Sequence, residues 1–402
     1  MAQQQRRRPL SREEALARQQ RQEHQKQMEA ESRELAKGPI DMPFLLLVVV
    51  LTAIGLVMLF SASFPRAYYK ENDPAKYLIR QGVFAIGGFI AMYVVGKINY
   101  QRYRALSKIL LMVAIVLLVL VLIPGIGQIR NNARRWIGIG ELTFQPSEIA
   151  KFAVVLYFSD SISKKKDRMR TLRYGIAPYA LILIVIAGLM MLEPHLSGTV
   201  LILGVGAILM LVGGISWGWV GGVLGLGALG VYLLIGVIGY GQSRVSMWLD
   251  PWQDPLDEGY QMTQSLIAIG SGGLWGVGLG KSRQKFLYLP EEHNDFIFSI
   301  VCEELGLIGA TIIMLLFAAL ILRGYWIAIH ARDRFGSLLV VGVTSLLAMQ
   351  TFLNIGVVTG LLPATGISLP FFSYGGTALM IQLAEMGVVL SVSRQMKPTR
   401  GG

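Results

Sequence analysis

The residues best suited to chemistry form a short acidic segment that directly precedes an apolar stretch. Glu291, Glu292, His293, Asn294 and Asp295 follow one another in the chain. A carboxylate near a membrane surface is partly desolvated, which raises its pKa and makes it a better proton acceptor. Asp295 is therefore the candidate general base, and Glu291 and His293 are candidate substrate ligands. Two alternatives stay open: Asn294 or Asp295 caps the following helix, or the carboxylates and His293 bind a divalent cation, Mg or Mn.

A group of cations lies upstream in the same polar segment. Arg244, Lys281, Arg283 and Lys285 are interspersed with glycines. Cations beside glycine-rich backbone suit a phosphate or pyrophosphate group. Arg244, Lys281 and Lys285 are therefore candidate ligands of such a group; the alternative is a solvated loop that contacts lipid headgroups.

A third candidate region lies near the middle of the N-terminal half. Arg135 and Trp136 precede Pro146, which suits the first position of a helix because it lacks an N–H group. Glu148 and Lys151 are three residues apart on that helix, so they can form an ion pair. Ionisable residues within a membrane span are functional candidates, although a structural ion pair and an interfacial tryptophan anchor explain the pattern equally well.

A proline- and glycine-rich stretch at 362–376 is the fourth candidate region, and Ser373 within it is a candidate substrate ligand. Irregular backbone at membrane depth is tolerated where protein or a water-filled cavity receives it. The stretch is either a re-entrant turn that lines a cavity or a plain connection. The Glu193-Pro194-His195 sequence is similar, with His195 interpreted as a buried structural histidine.

The composition indicates that membrane helices position these residues. The chain has 402 residues, of which 53% are hydrophobic and 15% are charged, a balance too apolar for a soluble domain. Apolar runs of about 18 residues or more are typical of transmembrane helices. We predict an all-α polytopic membrane protein of about ten spans, at 43–63, 80–96, 107–124, 146–162, 174–193, 196–213, 216–239, 294–322, 337–362 and 370–393.

The distribution of charge predicts the topology. Most of the net charge of +12 lies in short loops and tails, which on the positive-inside rule places both termini in the cytoplasm. Residues 1–41 and 394–402 are then cytoplasmic tails of a membrane domain at 42–393, and 240–295 is a large extracytoplasmic loop. We interpret the charge as topology and lipid contact rather than nucleic-acid binding. There is no nucleotide-binding P-loop, and the single cysteine, Cys302, excludes an internal disulfide.

Four long motifs, in this order, resemble the SEDS family (shape, elongation, division and sporulation), which includes FtsW, RodA and SpoVE. They are ARRWIGIGELTFQPSEIAK, WLDPWQDPLDEGYQMTQSLIAIGSGGLWGVGLGKSRQK, YLPEEHNDFIF and LPATGISLPFFSYGG. The resemblance covers about residues 43–393, and the forms WLDPWQDP and GLGKSRQK are more similar to the FtsW/SpoVE branch than to RodA.

The resemblance implies a bacterial plasma-membrane protein of ten spans. It also implies peptidoglycan glycosyltransferase activity on lipid II, the undecaprenyl-pyrophosphate-linked disaccharide pentapeptide. A class B penicillin-binding protein and other division or elongation proteins are the implied partners. The family's essential aspartate falls on Asp295, its Arg-Trp pair on Arg135 and Trp136, and its intramembrane Glu and Lys on Glu148 and Lys151.

These inferences combine into one mechanism. Asp295 takes the proton from the C4 hydroxyl of the acceptor sugar, cations stabilise the departing lipid pyrophosphate, and a single displacement inverts the donor to a β-1,4 product. Two other classes stay open. A lipid II flippase would share the broken helices and the intramembrane ion pair, and a division scaffold without catalysis would not need Asp295.

Overall fold

The computed structural model describes residues 38–130, 133–139, 142–216, 218–219, 221–222 and 242–396. Within these ranges seven helices are long and apolar enough to cross a membrane, and Leu196–Val212 is apolar but shorter. The prediction of a helical polytopic membrane protein is confirmed. The count of ten spans stays a prediction, because most of the predicted span at 216–239 lies outside the described residues.

The helices match the other predicted spans within a few residues at most ends. In chain order the described helices of eight residues or more are α1 (Met42–Glu71), α2 (Lys76–Lys97), α3 (Tyr103–Leu122), α4 (Pro146–Lys165), α5 (Ala177–Leu192), α6 (Leu196–Val212), α7 (Gln242–Leu249), α8 (Tyr260–Gly272), α9 (Ile297–Ile329), α10 (Arg334–Val358) and α11 (Gly376–Ser393).

Local sequence explains where two of these helices begin. The Asp41 side chain accepts a hydrogen bond from the Phe44 N–H at 3.0 Å, which caps the N-terminal end of α1. Helix α4 starts at Pro146, as predicted. The remaining surface of the bundle suits lipid: on α2, for example, Val83, Ile86 and Ile90 are at least 60% exposed.

The all-α prediction omits a small antiparallel sheet between α3 and α4. Its strands are β1 (Gly127–Arg130), β2 (Ala133–Ile139) and β3 (Leu142–Phe144), in the order β1-β2-β3. Strands this short do not produce a long alternation of apolar and polar residues, which is the sequence pattern that predicts a strand. The sheet was therefore not predicted between the apolar helical segments. The predicted loop at 240–295 likewise contains two helices, α7 and α8.

Helix α9 is interrupted inside the bundle. Gly306 has a φ of 68° and a ψ of −171°, which divides the helix into a shorter N-terminal part and a longer C-terminal part. A side chain would strain this left-handed backbone, so glycine suits the break. The N-terminal part begins two residues after Asp295, which ties the position of that carboxylate to this half-helix.

Close helix contacts are made where glycines remove side-chain bulk. Helices α2 and α11 meet at Gly387, where an added Cβ would lie 2.5 Å from the Met92 carbonyl oxygen. Helix α1 meets the 362–376 stretch at Gly55, where a Cβ would overlap the Phe371 carbonyl. Small residues at such contacts are typical of membrane bundles.

We therefore expect Gly387→Ala to destabilise the protein by about 1–3 kcal/mol, because the methyl group forces two backbones apart. The measurement is thermal unfolding of the purified protein in detergent. Gly82→Ala on α2 is the matched control, since a Cβ there meets nothing within 4 Å. Equal melting temperatures for the two variants would contradict the close packing of α2 on α11.

Candidate active site

A polar cavity of about 610 Å³ opens where α9 begins. It is lined by α1, α2, the β2–α4 region, the start of α6, the Glu291–Asp295 turn and the 362–376 stretch. Eight of the residues predicted from sequence line it together: Arg135, Trp136, Glu148, Lys151, Glu291, His293, Asp295 and Ser373. Three candidate regions that are far apart in the chain therefore form one site.

The 362–376 stretch and α10 hold the turn that carries Asp295. The Asn354 side-chain amide donates to the backbone carbonyl oxygens of Asp295 and Ile367, at 2.7 Å and 2.6 Å. The Ser373 hydroxyl donates to the Asn294 carbonyl at 2.7 Å, and the Tyr374 N–H donates to the His293 carbonyl at 2.9 Å. This stretch is therefore a structural support of the acidic turn, and Ser373 acts in it through hydrogen bonds to backbone.

A glutamine on α2 fixes the same stretch from its other side. The Gln81 side chain, which is buried, donates to the Ser373 carbonyl at 3.2 Å and accepts from the Gly375 N–H at 3.2 Å. The Gln382 side chain on α11 accepts from the Phe371 N–H at 3.1 Å. These polar side chains satisfy irregular backbone at membrane depth, as an unpaired peptide group there would be costly.

The Asp295 carboxylate has neither a hydrogen bond nor an ion pair with any residue that the structure describes. Burial raises its pKa to about 6, the negative charge of Glu291 adds to the rise, and His293 and Arg135 partly offset it. Gly366, with a φ of 67°, lies so close that an added Cβ would be 3.2 Å from the Asp295 Oδ2 atom. Asp295 is half-buried and lines the cavity close to Gly366.

The alternative role of Asn294 or Asp295 as a helix cap is wrong. The N-cap residue of α9 is Phe296, and no side chain accepts a capping hydrogen bond there. The Asn294 amide instead donates to the Glu291 carboxylate at 2.5 Å. The carboxylate of Asp295 is therefore not used to begin the helix.

Glu292, in the same turn, forms an ion pair with an arginine on α1. The Arg66 Nε and Nη2 atoms donate to its two oxygens at 2.7 Å and 2.8 Å, and the Glu292 side chain is inaccessible to solvent. Burial alone would raise the pKa of Glu292, but His293 and Arg66 outweigh it and hold that pKa at about 2. Two carboxylates of the same turn, Glu292 and Asp295, thus have pKa values shifted in opposite directions.

On the other wall, the predicted Glu148–Lys151 ion pair is present, with 2.8 Å between Lys151 Nζ and Glu148 Oε2. Burial lowers the pKa of the nearby His195 to about 3, so its ring is neutral. Neutral His195 fits the predicted buried structural role, although it also lines the cavity. The wall therefore presents polar groups whose charges largely cancel.

Strand β2 positions Arg135 against the break between α5 and α6. The Arg135 Nε atom donates to the Glu193 carbonyl at 3.2 Å, and its Nη2 atom donates to the Pro194 carbonyl. These contacts fix the guanidinium at the edge of the cavity. The small sheet is thus the element that positions Arg135 at the cavity.

Two of the remaining predicted cations, Lys281 and Lys285, do not line the cavity. Lys285 is buried outside it, with its Nζ atom 2.8 Å from Glu304 Oε1, so the expectation that it binds pyrophosphate is corrected. Lys281 is exposed and does not line the cavity. The side chain of Arg244 lies outside the described residues.

Two other arginines, Arg66 and Arg80, line the cavity and were missed in the sequence analysis. They lie on either side of the connection between α1 and α2, at the same end of the bundle as Asp295. A signal for them was available, because cations on the predicted outer side oppose the positive-inside rule.

The residues do not converge in a way that suits a divalent cation. In the part of the chain that the structure describes, no group of three or more His, Cys, Asp or Glu side chains is arranged to hold a metal ion. Glu292, one member of the predicted set, is already occupied by Arg66. We therefore derive no chemical step through a metal, and the divalent cation stays a prediction.

The fold and the cavity define a multi-pass membrane protein with a polar cavity at one end of the bundle. Comparison with known families agrees with this class: the model of the FtsW/RodA/SpoVE cell cycle proteins matches residues 42–398. The chain belongs to the FtsW/RodA/SpoVE family, which confirms the resemblance found in its motifs.

Two curated relatives match over most of their length. Stage V sporulation protein E of Bacillus subtilis is 44% identical over 358 residues, which cover 88% of this chain and 97% of that protein. The probable peptidoglycan glycosyltransferase FtsW of Geobacter metallireducens is 42% identical over 360 residues, covering 89% and 96%. These matches support the predicted FtsW/SpoVE branch.

Two solved structures share the fold. A chain from a peptidoglycan synthase complex, determined to explain how polymerization and crosslinking are coordinated, has a TM-score of 0.74 and 30% identity. The rod shape determining protein RodA of Thermus thermophilus has a TM-score of 0.65 and 28% identity. Each covers 89% of this chain and is itself covered over 98% of its length.

The geometry of the site makes Asn354 a specific support of the acidic turn. We expect Asn354→Leu to lower the free energy of unfolding by about 1–3 kcal/mol for each carbonyl left unpaired. Thr351→Val on the same helix is the control, because the Thr351 hydroxyl donates to Leu347 within its own helix. Thermal unfolding in detergent measures both, and a melting temperature for Asn354→Leu equal to that of the control would contradict this role.

Proposed function

We propose that this chain is a peptidoglycan glycosyltransferase that polymerises lipid II into β-1,4 glycan strands, with Asp295 as the general base. One observation carries the proposal: the carboxylate of Asp295 has no partner among the described residues and lines a cavity whose lining also includes Arg66, Arg80 and Arg135. The relatives named as peptidoglycan glycosyltransferases support the same activity.

The reaction is a single displacement. Asp295 takes the proton of the C4 hydroxyl on the acceptor GlcNAc, and that oxygen attacks the anomeric carbon of the donor sugar. The bond from the anomeric carbon to the pyrophosphate oxygen breaks, and the electron pair leaves with the lipid pyrophosphate. The α-linked donor becomes a β-linked product, so one base suffices where a glycosidase uses two carboxylates.

The lipid pyrophosphate is already an activated leaving group, so the reaction needs no nucleotide. Its developing charge is stabilised by cations that are already fixed in the cleft. Arg66, Arg80 and Arg135 are the best placed cations for this role, since each lines the cavity. Arg66 and Arg135 are also held by partners, Glu292 and the carbonyls of 193–194, which keep them oriented before substrate arrives.

The cavity accommodates the reacting groups rather than the whole substrate. Its volume of about 610 Å³ lies in the range of small-molecule sites. The sugars that react and the pyrophosphate are its expected contents. The undecaprenyl chain would lie along the apolar outer surface of the helices, in lipid.

We place the cavity on the extracytoplasmic side of the plasma membrane and both termini on the cytoplasmic side. Asp41 and Arg323 form an ion pair at the opposite end of α1 from Arg66, with 2.7 Å between Arg323 Nη2 and Asp41 Oδ2. The cations Lys97, Arg334 and Arg394 also lie at that end. The positive-inside rule assigns that end to the cytoplasm.

We further propose a class B penicillin-binding protein as partner and the division septum as the place of action. The structural similarity to a chain of a peptidoglycan synthase complex supports a partner of this kind. The enzyme would then polymerise glycan while its partner crosslinks it. Lipid II and membrane lipids are the other expected ligands.

Asp295→Ala should lower polymerisation of purified lipid II by at least 100-fold, as expected for the loss of a general base, while folding is unchanged. The assay contains the cognate penicillin-binding protein with its transpeptidase serine disabled, and is run with and without a chelator. Asp257→Ala, at an exposed site in the same segment, is the control.

Glycan chains from Asp295→Ala at the wild-type rate would contradict the proposed base. No chains from either protein, with a verified partner and an intact fold, would favour the scaffold alternative. An inactive wild-type protein that moves lipid II between leaflets would favour the flippase instead. Loss of wild-type activity on chelation, restored by Mg²⁺ or Mn²⁺, would establish the divalent cation as a cofactor.

Asp295 works as a base only when it is deprotonated, and its pKa is raised to about 6. The polymerisation rate should therefore fall as the pH drops through about 6, by roughly tenfold per pH unit below that value.

Glu291→Gln should move the midpoint of this acid limb to lower pH, because the charge of Glu291 raises the pKa of Asp295. Glu258→Gln, at an exposed position, should leave the midpoint in place. A midpoint that is identical in wild type and Glu291→Gln would contradict the expected effect of the Glu291 charge on the group whose titration limits the rate.

A further inference from the structure

A second group of buried charges lies outside the cavity and has no part in the proposed chemistry. Glu303 and Glu304 are adjacent on α9, just before its interruption, and both are about 1% exposed. Lys285, from the segment that precedes α9, is 2% exposed. Burying a charged group at this depth is costly unless it is paired. The hydrogen-bond partners of these three residues therefore identify the segments that they connect.

Glu304 joins three parts of the molecule. Its Oε1 atom is 2.8 Å from Lys285 Nζ, and both of its oxygens accept from the Ser61 hydroxyl of α1 at 2.7 Å. Lys285 Nζ also donates to the Ser61 oxygen at 3.0 Å. The triad of Ser61, Lys285 and Glu304 therefore links α9, α1 and the segment that carries Lys285.

Glu303 holds the backbone of the same segment. Its carboxylate accepts from the Ser282 hydroxyl at 2.5 Å, from the Arg283 N–H at 2.8 Å and from the Gln284 N–H at 3.4 Å. A carboxylate that accepts several such bonds is strongly held in place. The two glutamates thus fasten consecutive residues, 282–285, onto the N-terminal part of α9.

The interruption of α9 is filled by the backbone that precedes this segment. The Glu303 and Glu304 carbonyls accept from the N–H groups of Val277 and Gly278, each at 3.0 Å. On the other side of the break, the N–H groups of 307 and 308 donate to the carbonyls of 273 and 274, at 2.9 Å and 3.2 Å. Hydrogen bonds that a continuous helix makes internally are here made with residues 273–278.

Two buried ion pairs therefore flank Asp295 in the chain, and both are fixed on α1. Glu292, before Asp295, pairs with Arg66; Glu304, after it, is bound by Lys285 and Ser61. The turn and the first part of α9 are thus attached to α1 on both sides of the base. The Lys285–Glu304 attachment does not contact the cavity.

We propose that Glu303 and Glu304 are positioning residues for Asp295. They hold the N-terminal part of α9 as a rigid support by binding it to residues 282–285 and, through Ser61, to α1. This inference rests on the proposed role of Asp295 as the base. Displacement of a reacting group by about 1 Å lowers a rate by roughly 100-fold, so loosening this support should reduce turnover more than binding.

The test uses the double variant Lys285→Met/Glu304→Gln, which removes both charges and leaves no unpaired ion in the interior. Polymerisation of lipid II by the complex with the penicillin-binding protein is measured as kcat and KM, alongside thermal unfolding. We expect kcat to fall by about 10- to 100-fold while KM changes less than about twofold. Lys285→Arg, which keeps the ion pair, should retain most of the activity.

Ser61→Ala and Glu303→Gln are milder variants that decide the question if the double variant does not fold. Each removes hydrogen bonds without leaving an unpaired buried cation, and each should lower kcat with little change in KM. Lys70→Met, an exposed lysine near the end of α1, is the matched control and should match wild type.

Well-folded variants with wild-type kcat would overturn the proposal, as would a loss of activity equal to the loss of folded protein. A rise in KM at constant kcat would also overturn it, since it would indicate a role in binding. An inactive wild type would instead contradict the proposed function, so the two failures are distinguishable.

Discussion

The cost of an unpaired charge in a membrane bundle governs the arrangement of this site. Glu292 and Asp295 lie in one turn, and burial disfavours the ionised form of both. Glu292 is compensated by two hydrogen bonds from Arg66, whereas Asp295 has no such partner among the described residues. The same physical cost that forces one carboxylate into an ion pair leaves the other as a base whose pKa lies close to neutral pH.

That contrast depends on elements far apart in the chain. Arg66 and Glu292 are separated by 226 residues, and the amide of Asn354 reaches the Asp295 carbonyl from α10. The proline- and glycine-rich stretch has no regular structure of its own, yet its hydroxyl and N–H groups complete the turn. The bundle thus supplies rigidity through polar contacts to backbone, while its outer surface remains apolar.

Much of this could be predicted from sequence, because it is local. The ends of the apolar spans, the start of α4 at Pro146 and the i,i+3 pair on α4 all follow from short-range patterns. The position of Lys285 does not, since no local signal shows that its partner is Glu304. The helix-cap expectation failed for a similar reason: tertiary hydrogen bonds, not capping, decide how the acidic turn is oriented.

The proposed reaction needs a carboxylate that accepts a proton, so the most direct measurement is chemical rescue of Asp295→Ala. Chain elongation from lipid II would be followed at pH 8 while formate is added at increasing concentration. We expect almost no elongation without formate and a rate that rises with formate, because a small carboxylate then replaces the missing base. Elongation by Asp295→Ala at the wild-type rate, independent of formate, would contradict the proposed role of Asp295.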